Sequence, residues 1–283
     1  MINNEITVVI NTFKSEDKIH NCLDSISSNF KVIIIENSNN LIFKNKIQEK
    51  YPNVECFLSG ENLGYAKGNN LGLSKVKSKY ALILNPDATL EEETINNFFI
   101  SANIIKDFAI IGPAKQEEYN NEDLNKEKNE LFQVDSLKGF AMFFNIEQFN
   151  EIGFFDENFF IYLEEIDLCK RLKNNNKKIY LDKKIIVHHI GGSSHNDAIE
   201  FEMELSRNWH WMWSTFYFNK KHYNYIYAIF KVSKKFFSSL IKTLFYTLTN
   251  NKKKKRIYFQ RFSGLLNSIL GKKSWYRPKI IIN

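Results

Sequence analysis

The chain has 283 residues and a net charge of +7, and its 43% hydrophobic and 25% charged residues exclude a globally disordered or low-complexity chain. The three cysteines, Cys22, Cys56 and Cys169, are far apart in the sequence and form no CxxC motif. This spacing disfavours a disulfide framework and a thiolate zinc site, and it favours buried thiols in a reducing compartment. We expect neither a secretory signal nor a transmembrane helix, because the first apolar run, Ile6–Ile10, is short and no run of about 18 apolar residues exists.

The charges are distributed unevenly. From Leu205 to Asn283 there are 17 Lys and Arg and no Asp or Glu, whereas the first 204 residues hold 22 basic and 32 acidic side chains. The second stretch is also rich in Trp, Phe and Tyr. This change predicts two domains, over 1–204 and 205–283, that face different partners.

Strand and helix signals alternate along the first hundred residues. Continuous apolar runs at Ile6–Ile10, Lys31–Ile35 and Tyr80–Leu84 predict strands buried on both faces. Helices are predicted over 15–28, with Ser15 as N-cap, over 41–51 and over 91–105, and the segment 62–76 is predicted to open with a glycine-rich loop and to continue as a helix. This order predicts an α/β fold with a mostly parallel sheet, helices on both faces, and ligands bound beyond the carboxyl ends of the strands.

Polar clusters follow the predicted strands. They are Asn11-Thr12, Glu36-Asn37-Ser38 and Asn85-Pro86-Asp87. Asp87 is placed where a carboxylate can hold Mg²⁺ or Mn²⁺ between two phosphates, although Asn-Pro-Asp is also common in turns. Glu36 could accept hydrogen bonds from a base or ribose, or cap a turn.

The second half of the region contains further polar segments. The segment 117–130 is almost free of apolar residues and predicts an exposed loop. Glu164, Glu165 and Asp167 open a predicted helix, where one carboxylate could deprotonate a substrate hydroxyl or where the acids merely complement the helix dipole. His188 and His189 precede two glycines, and either histidine could bind a metal or be structural.

The segment 62–70 is glycine-rich and precedes a helix, which suits close approach of the backbone to an anionic ligand. It is neither a P-loop nor a GxGxxG fingerprint. The order of all these motifs is similar to that in family 2 glycosyltransferases with the GT-A fold, above all to the bacterial rhamnosyltransferase-like branch. The resemblance covers about residues 5–194, and its most specific parts are NLGYAKGNN and GFFDENFFIYLEEIDL.

The resemblance implies a catalytic domain over 1–204 and a role for each matching residue. On the donor side, Thr12 and Glu36 would line the base pocket, and Gly139 would lie near the sugar. Asn85 would occupy the first position of the metal motif. The glycine-rich loop around the donor would be shaped by Asn62, Gly64, Gly68 and Asn69. Asp87 and His189 would bind the metal. Glu165 would be the catalytic base, with Glu164 as its rival and Asp167 on the acceptor side. Lys14, Glu36 and Glu165 depart from the family's usual Asn, Asp and Asp.

The implied activity is inverting, metal-dependent transfer of a sugar from a nucleoside diphosphate to a glycan or lipid-linked acceptor in cell-surface polysaccharide synthesis. The branch favours a dTDP-rhamnose-like donor, with UDP-sugars as the alternative. A nucleotidyltransferase and a non-catalytic nucleotide-sugar or membrane-binding relative are the competing interpretations.

The segment 226–248 has apolar residues at helical spacing with lysines between them, and the run Lys252–Arg256 follows. A basic amphipathic segment of this kind predicts a helical extension that associates with a membrane surface, which would place the protein in the cytoplasm at the inner face of the cell membrane. Packing of these aromatics inside the protein is the alternative. No nucleic-acid module accompanies the basic run, so we expect no nucleic acid as partner.

Overall fold

The computed structural model describes residues 2–114, 129–189, 191 and 195–278. Most of the polar segment 117–130, and Gly192–Ser194 after the histidine pair, lie outside the described residues. The described chain forms two compact units. The first comprises Met1–Phe155 and Glu165–Asn196, and the second comprises Asp156–Glu164 and Asp197–Asn283. The predicted division into functional domains at 204/205 stays a prediction.

The first unit contains ten strands among its described residues. They are β1 Ile6–Thr12, β2 Lys31–Glu36, β3 Val54–Leu58, β4 Tyr80–Leu84, β5 Ala88–Leu90, β6 Ile110–Pro113, β7 Leu131–Val134, β8 Ala141–Asn145, β9 Ile179–Asp182 and β10 Val187–His189. Eight of them form one sheet in the order β3-β2-β1-β4-β8-β6-β9-β7, and β5 pairs with β10. The block β3-β2-β1-β4 is parallel and β8 is antiparallel to β4.

Helices cover both faces of this sheet. They are α1 Ile19–Asp24, α2 Leu41–Lys50, α3 Gly64–Leu73, α4 Thr94–Ile105 and α5 Glu164–Asn174. Val8 of β1 lies in one apolar cluster with Phe43 of α2 and Phe98 of α4. The next residue, Val9, points the other way, because a Cβ added to Gly72 of α3 would stand 2.3 Å from its Cγ1. The predicted mostly parallel α/β sheet with helices on both faces is therefore confirmed.

Two predicted helix starts are wrong. The helix predicted over 91–105 begins only at Thr94, whose hydroxyl accepts the N–H of Glu91 at 3.0 Å, so the three glutamates precede the helix. The helix predicted over 15–28 shrinks to Ile19–Asp24. Ser15 is not its N-cap, because the Ser15 carbonyl accepts the N–H groups of Lys18 and Ile19 in a preceding turn.

The second unit contains three long helices, α6 Glu200–His222, α7 Tyr225–Leu248 and α8 Lys252–Ile269. One of its cores holds Trp209, Trp213 and Tyr276, and another holds Met212, Phe216, Ala228, Val232 and Leu265. The α6 and α8 backbones approach closely at Gly264, where a Cβ would stand 2.2 Å from the Trp209 carbonyl oxygen. Within the described residues, no helix combines the length and hydropathy that a bilayer crossing requires.

All three cysteines are buried and free, as predicted. Burial, and secondarily the charge of Asp87, raises the pKa of Cys22 far above its usual range. Burial raises the pKa of Cys56 and of Cys169 to about 12. The three side chains are therefore neutral thiols that pack as small apolar groups.

Candidate active site

The glycine-rich loop is attached to the carboxyl ends of β1 and β2 by two asparagines. The Asn11 amide donates to the Gly64 carbonyl at 2.8 Å, and its oxygen accepts from the Asn37 side chain. Gly68 passes so close that a Cβ there would stand 2.6 Å from the Asn11 amide nitrogen. The sequence placed Asn11 and Asn37 at strand ends without assigning them a role, and their pairing requires the tertiary structure.

Thr12 and Glu36 lie side by side, as paired residues of β1 and β2, and both are buried. The Glu36 carboxylate accepts the backbone N–H of Ser38 at 2.9 Å and that of Asn40 at 2.6 Å. The capping role that the sequence left open for Glu36 is thus present. Its role in a base pocket, like that of Thr12, stays a prediction.

The glycine-rich loop has a backbone conformation that suits close approach to a ligand. Gly64 has a φ of +75°, which favours glycine, and its N–H donates to the Asn62 side chain at 3.1 Å. Asn69 is fully buried in α3, where its amide donates to the Tyr65 carbonyl at 3.0 Å. Asn62 and Asn69 therefore shape the loop from within.

Tyr65 connects this loop to Gly139 and Glu165. Its hydroxyl donates to the Gly139 carbonyl, and a Cβ on Gly139 would stand 3.1 Å from that hydroxyl and 3.6 Å from the Glu165 Cβ. Gly139 lies just before β8, which runs antiparallel to β4 and so begins at the edge where β4 ends. The structure thus brings together three segments that are far apart in the sequence.

Asp87, Asn85 and His189 form a second cluster at the same edge. β10 pairs with β5 so that His189 lies opposite Ala88, the neighbour of Asp87. The His189 Nε2 atom is 3.5 Å from an Asp87 carboxylate oxygen and 3.3 Å from the Asn85 amide nitrogen. Phe140 supports the imidazole in a parallel stack with the ring centres 4.7 Å apart.

The Asp87 carboxylate is unusual because it is buried without hydrogen-bond donors. Its side chain is 1% exposed, and neither of its oxygens has a hydrogen-bond partner in the described part of the chain. A buried carboxylate without donors is costly unless a cation compensates its charge. Within the described ranges no group of three or more His, Cys, Asp and Glu side chains could hold a metal. The buried Asp87 carboxylate and the neighbouring His189 imidazole suit a divalent cation, which would take its remaining ligands from phosphate oxygens or water.

The acidic cluster begins α5. Glu164 and Glu165 are its first two residues, and the two residues before them, Tyr162 and Leu163, have φ angles of +74° and +69°. Consecutive non-glycine residues in this region cost on the order of 1–3 kcal/mol each and often accompany functional sites. The sequence contains no glycine or asparagine at these two positions, so it did not predict their positive φ angles.

Asp167 has a structural partner. It is fully buried and accepts from the Arg171 guanidinium at 2.9 Å, and Arg171 also donates to the Ile152 carbonyl at 3.0 Å. The pair ties one turn of α5 to the preceding loop. The predicted acceptor-side role of Asp167 stays a prediction.

Residues 7–169, more than half of the chain, match the family model described as Glycosyl transferase family 2. This chain belongs to glycosyl transferase family 2. The resemblance read from the order of its motifs is therefore confirmed.

Two named relatives of this family 2 chain are similar to it. The low-salt glycan biosynthesis hexosyltransferase Agl10 of Haloferax volcanii is 27% identical over 202 residues, which is 62% of this chain and 64% of the relative. The rhamnosyltransferase WbbL of Escherichia coli K12 is 24% identical over 244 residues, which is 72% of this chain and 89% of the relative. The chain thus spans less than two thirds of the Haloferax protein.

Solved structures confirm the GT-A fold of this family 2 chain. The mannosyltransferase PcManGT of Pyrobaculum calidifontis, solved with GDP-Man and Mn²⁺, aligns with a TM-score of 0.60 at 11% identity over 95% of this chain and 88% of that one. Residues 1–349 of TarS from S. aureus align with a TM-score of 0.54 at 13% identity over 96% and 93% of the two chains. At these identities the likeness concerns the fold alone.

Proposed function

We propose that this chain is a metal-dependent, inverting glycosyltransferase that moves a hexosyl or deoxyhexosyl unit from a nucleoside diphosphate to a glycan or lipid-linked acceptor. The observation that carries the proposal is the buried Asp87 carboxylate, which lacks hydrogen-bond donors and faces the His189 imidazole at 3.5 Å. The Pyrobaculum mannosyltransferase was solved as a complex with Mn²⁺, which is consistent with a cation here.

Asp87 and His189 would hold the cation, with Asn85 beside them. When bound, a divalent cation would neutralise the charge that develops on the leaving diphosphate. Asn62, Gly64, Gly68 and Asn69 would shape the loop around the donor, with Thr12 and Glu36 towards its base and Gly139 near its sugar. Asn11 and the buried Asn37 hold that loop to the sheet and so would preorganise the donor site.

Glu165 would act as the base. Its carboxylate would take the proton of the acceptor hydroxyl while that oxygen attacks the anomeric carbon and the bond to the diphosphate breaks, so the configuration would invert. Its position next to Gly139 supports this choice. Glu164 is the alternative, and Asp167 would act from the acceptor side.

The donor is proposed from the relatives. The E. coli relative is named as a rhamnosyltransferase, which supports a dTDP-rhamnose-like donor. The Haloferax relative is named as a hexosyltransferase of glycan biosynthesis, so a UDP-hexose is the alternative donor. The Haloferax name, which refers to glycan biosynthesis, also supports a glycan as the acceptor.

We further propose that α7 rests on the inner surface of the cell membrane. Seven large apolar side chains along one side of α7 remain exposed: Ile226, Phe230, Phe237, Ile241, Leu244, Phe245 and Leu248. The opposite side, with Ala228, Val232 and Ser239, is buried. The exposed row extends over about 33 Å at 1.5 Å per residue and is accompanied by lysines, as in helices that lie in the membrane interface.

Other apolar residues of α7 pack inside the protein instead. Ile229 and Phe236 pack against the core around Met212 and Leu265. The helix therefore has two apolar sides, and the internal core uses only one of them.

The deciding experiment for the enzyme combines a thermal-shift panel with a turnover assay. Nucleoside diphosphates and their sugars, with and without Mn²⁺, are screened first, because a ligand at 100 times its dissociation constant raises stability by about 2.7 kcal/mol. We expect a metal-dependent shift with dTDP or UDP and sugar transfer or slow donor hydrolysis. Binding without any turnover would instead identify a non-catalytic relative, and turnover of a nucleoside triphosphate to a new nucleotide sugar would identify a nucleotidyltransferase.

A further inference from the structure

A basic groove lies between α7 and α8, within the second unit. Its volume is about 520 Å³, and it is open to solvent. Its walls include the cationic side chains of Lys234, Lys235, Lys242 and Arg261, together with the hydroxyl groups of Ser238 and Tyr258. We refer to it as the α7–α8 groove. Neither the catalytic proposal nor the exposed apolar row of α7 uses it.

The four cations of the groove have no carboxylate partner among the described residues. Elsewhere on α8, Arg256 pairs with Glu202 at 2.7 Å and Lys253 approaches Glu204 at 4.0 Å. No such pair forms at Lys234, Lys235, Lys242 or Arg261 in the described part of the chain. Their neighbours are aromatic or neutral: the Lys242 ammonium lies 4.9 Å above the Tyr258 ring, and Arg261 donates to Asn208 at 3.0 Å. These contacts hold the side chains in place without neutralising them.

The positive charges of the groove repel one another. Burial, followed by the like charges of Arg261 and Lys231, lowers the pKa of Lys235. Four cations around one concave surface, with hydroxyl donors beside them, match the charge and the hydrogen-bonding capacity of a phosphate group.

The position of the groove on α7 selects among phosphate ligands. Ser238 and Lys242 directly follow Phe237 and Ile241 of the exposed apolar row, so the cationic side of the helix borders its apolar side. A ligand that carries a phosphate next to hydrocarbon would satisfy both sides at once. A soluble phosphate would satisfy only the groove.

We propose that the α7–α8 groove binds the phosphate headgroup of an anionic lipid while the lipid's hydrocarbon lies along the exposed apolar row of α7. This inference rests on the proposed membrane association and deepens it, because it replaces general attraction to a charged surface with a discrete headgroup site. It does not depend on the catalytic proposal for the first unit.

The test compares two charge-matched variants of the full chain. Lys234→Gln with Lys242→Gln removes two charges from the groove, and Lys252→Gln with Lys255→Gln removes two exposed charges from the start of α8. Binding is measured to phosphatidylcholine vesicles that contain phosphatidic acid. We expect the groove pair to weaken binding at least about tenfold more than the control pair does, since the control lysines contribute only the general attraction of a basic side chain to an anionic surface.

Equal losses in the two pairs would overturn the site, because they would show attraction by net charge alone. Calorimetry with inorganic pyrophosphate separates the two phosphate sources. Tight binding of pyrophosphate by the wild type, lost in the groove pair while vesicle binding is unchanged, would assign the groove to a soluble phosphate and overturn the lipid proposal. Absence of vesicle binding by the wild type would overturn this inference together with the membrane proposal, and the turnover assay would still report on the catalytic proposal alone.

Discussion

The two units handle negative charge in opposite ways. The first unit buries the Asp87 carboxylate at the edge of its sheet, where the proposed cation would lie between this carboxylate and a phosphate. The second unit presents lysines and arginines beside exposed apolar rows, so it can meet a phosphate directly. Departure of a diphosphate leaving group requires that the charge developing on it be neutralised at a defined position. Attachment to a membrane surface requires only many weak contacts. The contrast predicts that the proposed catalysis and the proposed membrane attachment can be disrupted separately.

The largest expected effect concerns the base. Glu165→Gln keeps the size of the side chain but cannot accept a proton, so we expect sugar transfer to fall by about 10²–10⁴-fold with donor affinity and vesicle binding unchanged. Steady-state kinetics of Glu165→Gln and Glu164→Gln check this assignment. A large loss only in the Glu164 variant would transfer the role to Glu164.

The next effect concerns the cation site. Asp87→Asn is nearly isosteric and removes one negative charge, and we expect transfer to fall by about 10²–10³-fold and the metal-dependent part of the thermal shift to disappear. Because Asp87 lacks hydrogen-bond donors, the apo protein should not lose stability. A variant with normal turnover would remove Asp87 from the mechanism, and the charge contrast between the units would lose its functional meaning.

The second unit should respond to pH through His210. This buried side chain contacts the Tyr276 carbonyl at 2.9 Å and the Ser274 hydroxyl at 3.0 Å, and burial lowers its pKa from 6.5 to about 3. The neutral form is therefore the folded one, so stability is full above about pH 6.5 and falls below it by up to about 1.4 kcal/mol per pH unit. Urea unfolding between pH 7 and 5.5 measures the slope. The same slope in His210→Asn would show that another group is responsible.

Gly264 tests whether close helix packing holds the second unit together. An alanine inside a helix normally adds about 0.5–1 kcal/mol over glycine, but here the new Cβ would meet the Trp209 carbonyl at 2.2 Å. We expect Gly264→Ala to destabilise the second unit by about 1–3 kcal/mol, whereas Lys255→Ala on the same helix should change stability by less than about 0.5 kcal/mol. Thermal unfolding measures both. A stabilised Gly264 variant would show that α6 and α8 do not pack closely at this position.

The smallest change in stability is expected for substitutions in the exposed apolar row of α7, although they should clearly weaken membrane binding. Phe230→Ser with Ile241→Ser should change stability by less than about 0.5 kcal/mol, because the two side chains are 79% and 63% exposed, and should leave transfer to a water-soluble acceptor intact. Vesicle co-sedimentation should fall about tenfold or more. Loss of transfer to the soluble acceptor would show that the two functions are not separable.

Sequence patterns predicted the parts of this protein that depend on neighbouring residues. The apolar runs at Ile6–Ile10, Lys31–Ile35 and Tyr80–Leu84 became strands of the sheet, since a buried parallel strand needs an unbroken apolar run. The order of the polar motifs was sufficient to identify the family. The helix starts at Ser15 and Glu91 were less predictable, because the turn before α1 and the Thr94 hydroxyl compete with the expected caps.

By itself, the sequence determined the fold class, the family and the separation of an acidic first stretch from a basic second one, because hydrophobic periodicity and charge are local and additive. Only the tertiary structure decided which polar groups meet: His189 with Asp87, Glu165 with Gly139, and Asn11 with the glycine-rich loop. It also decided which apolar residues of α7 are buried and which remain exposed, and it brought lysines of α7 and Arg261 of α8 to one groove. The physical reason is that these contacts depend on crossovers between strands and on helix pairing, which join residues that are distant in the chain.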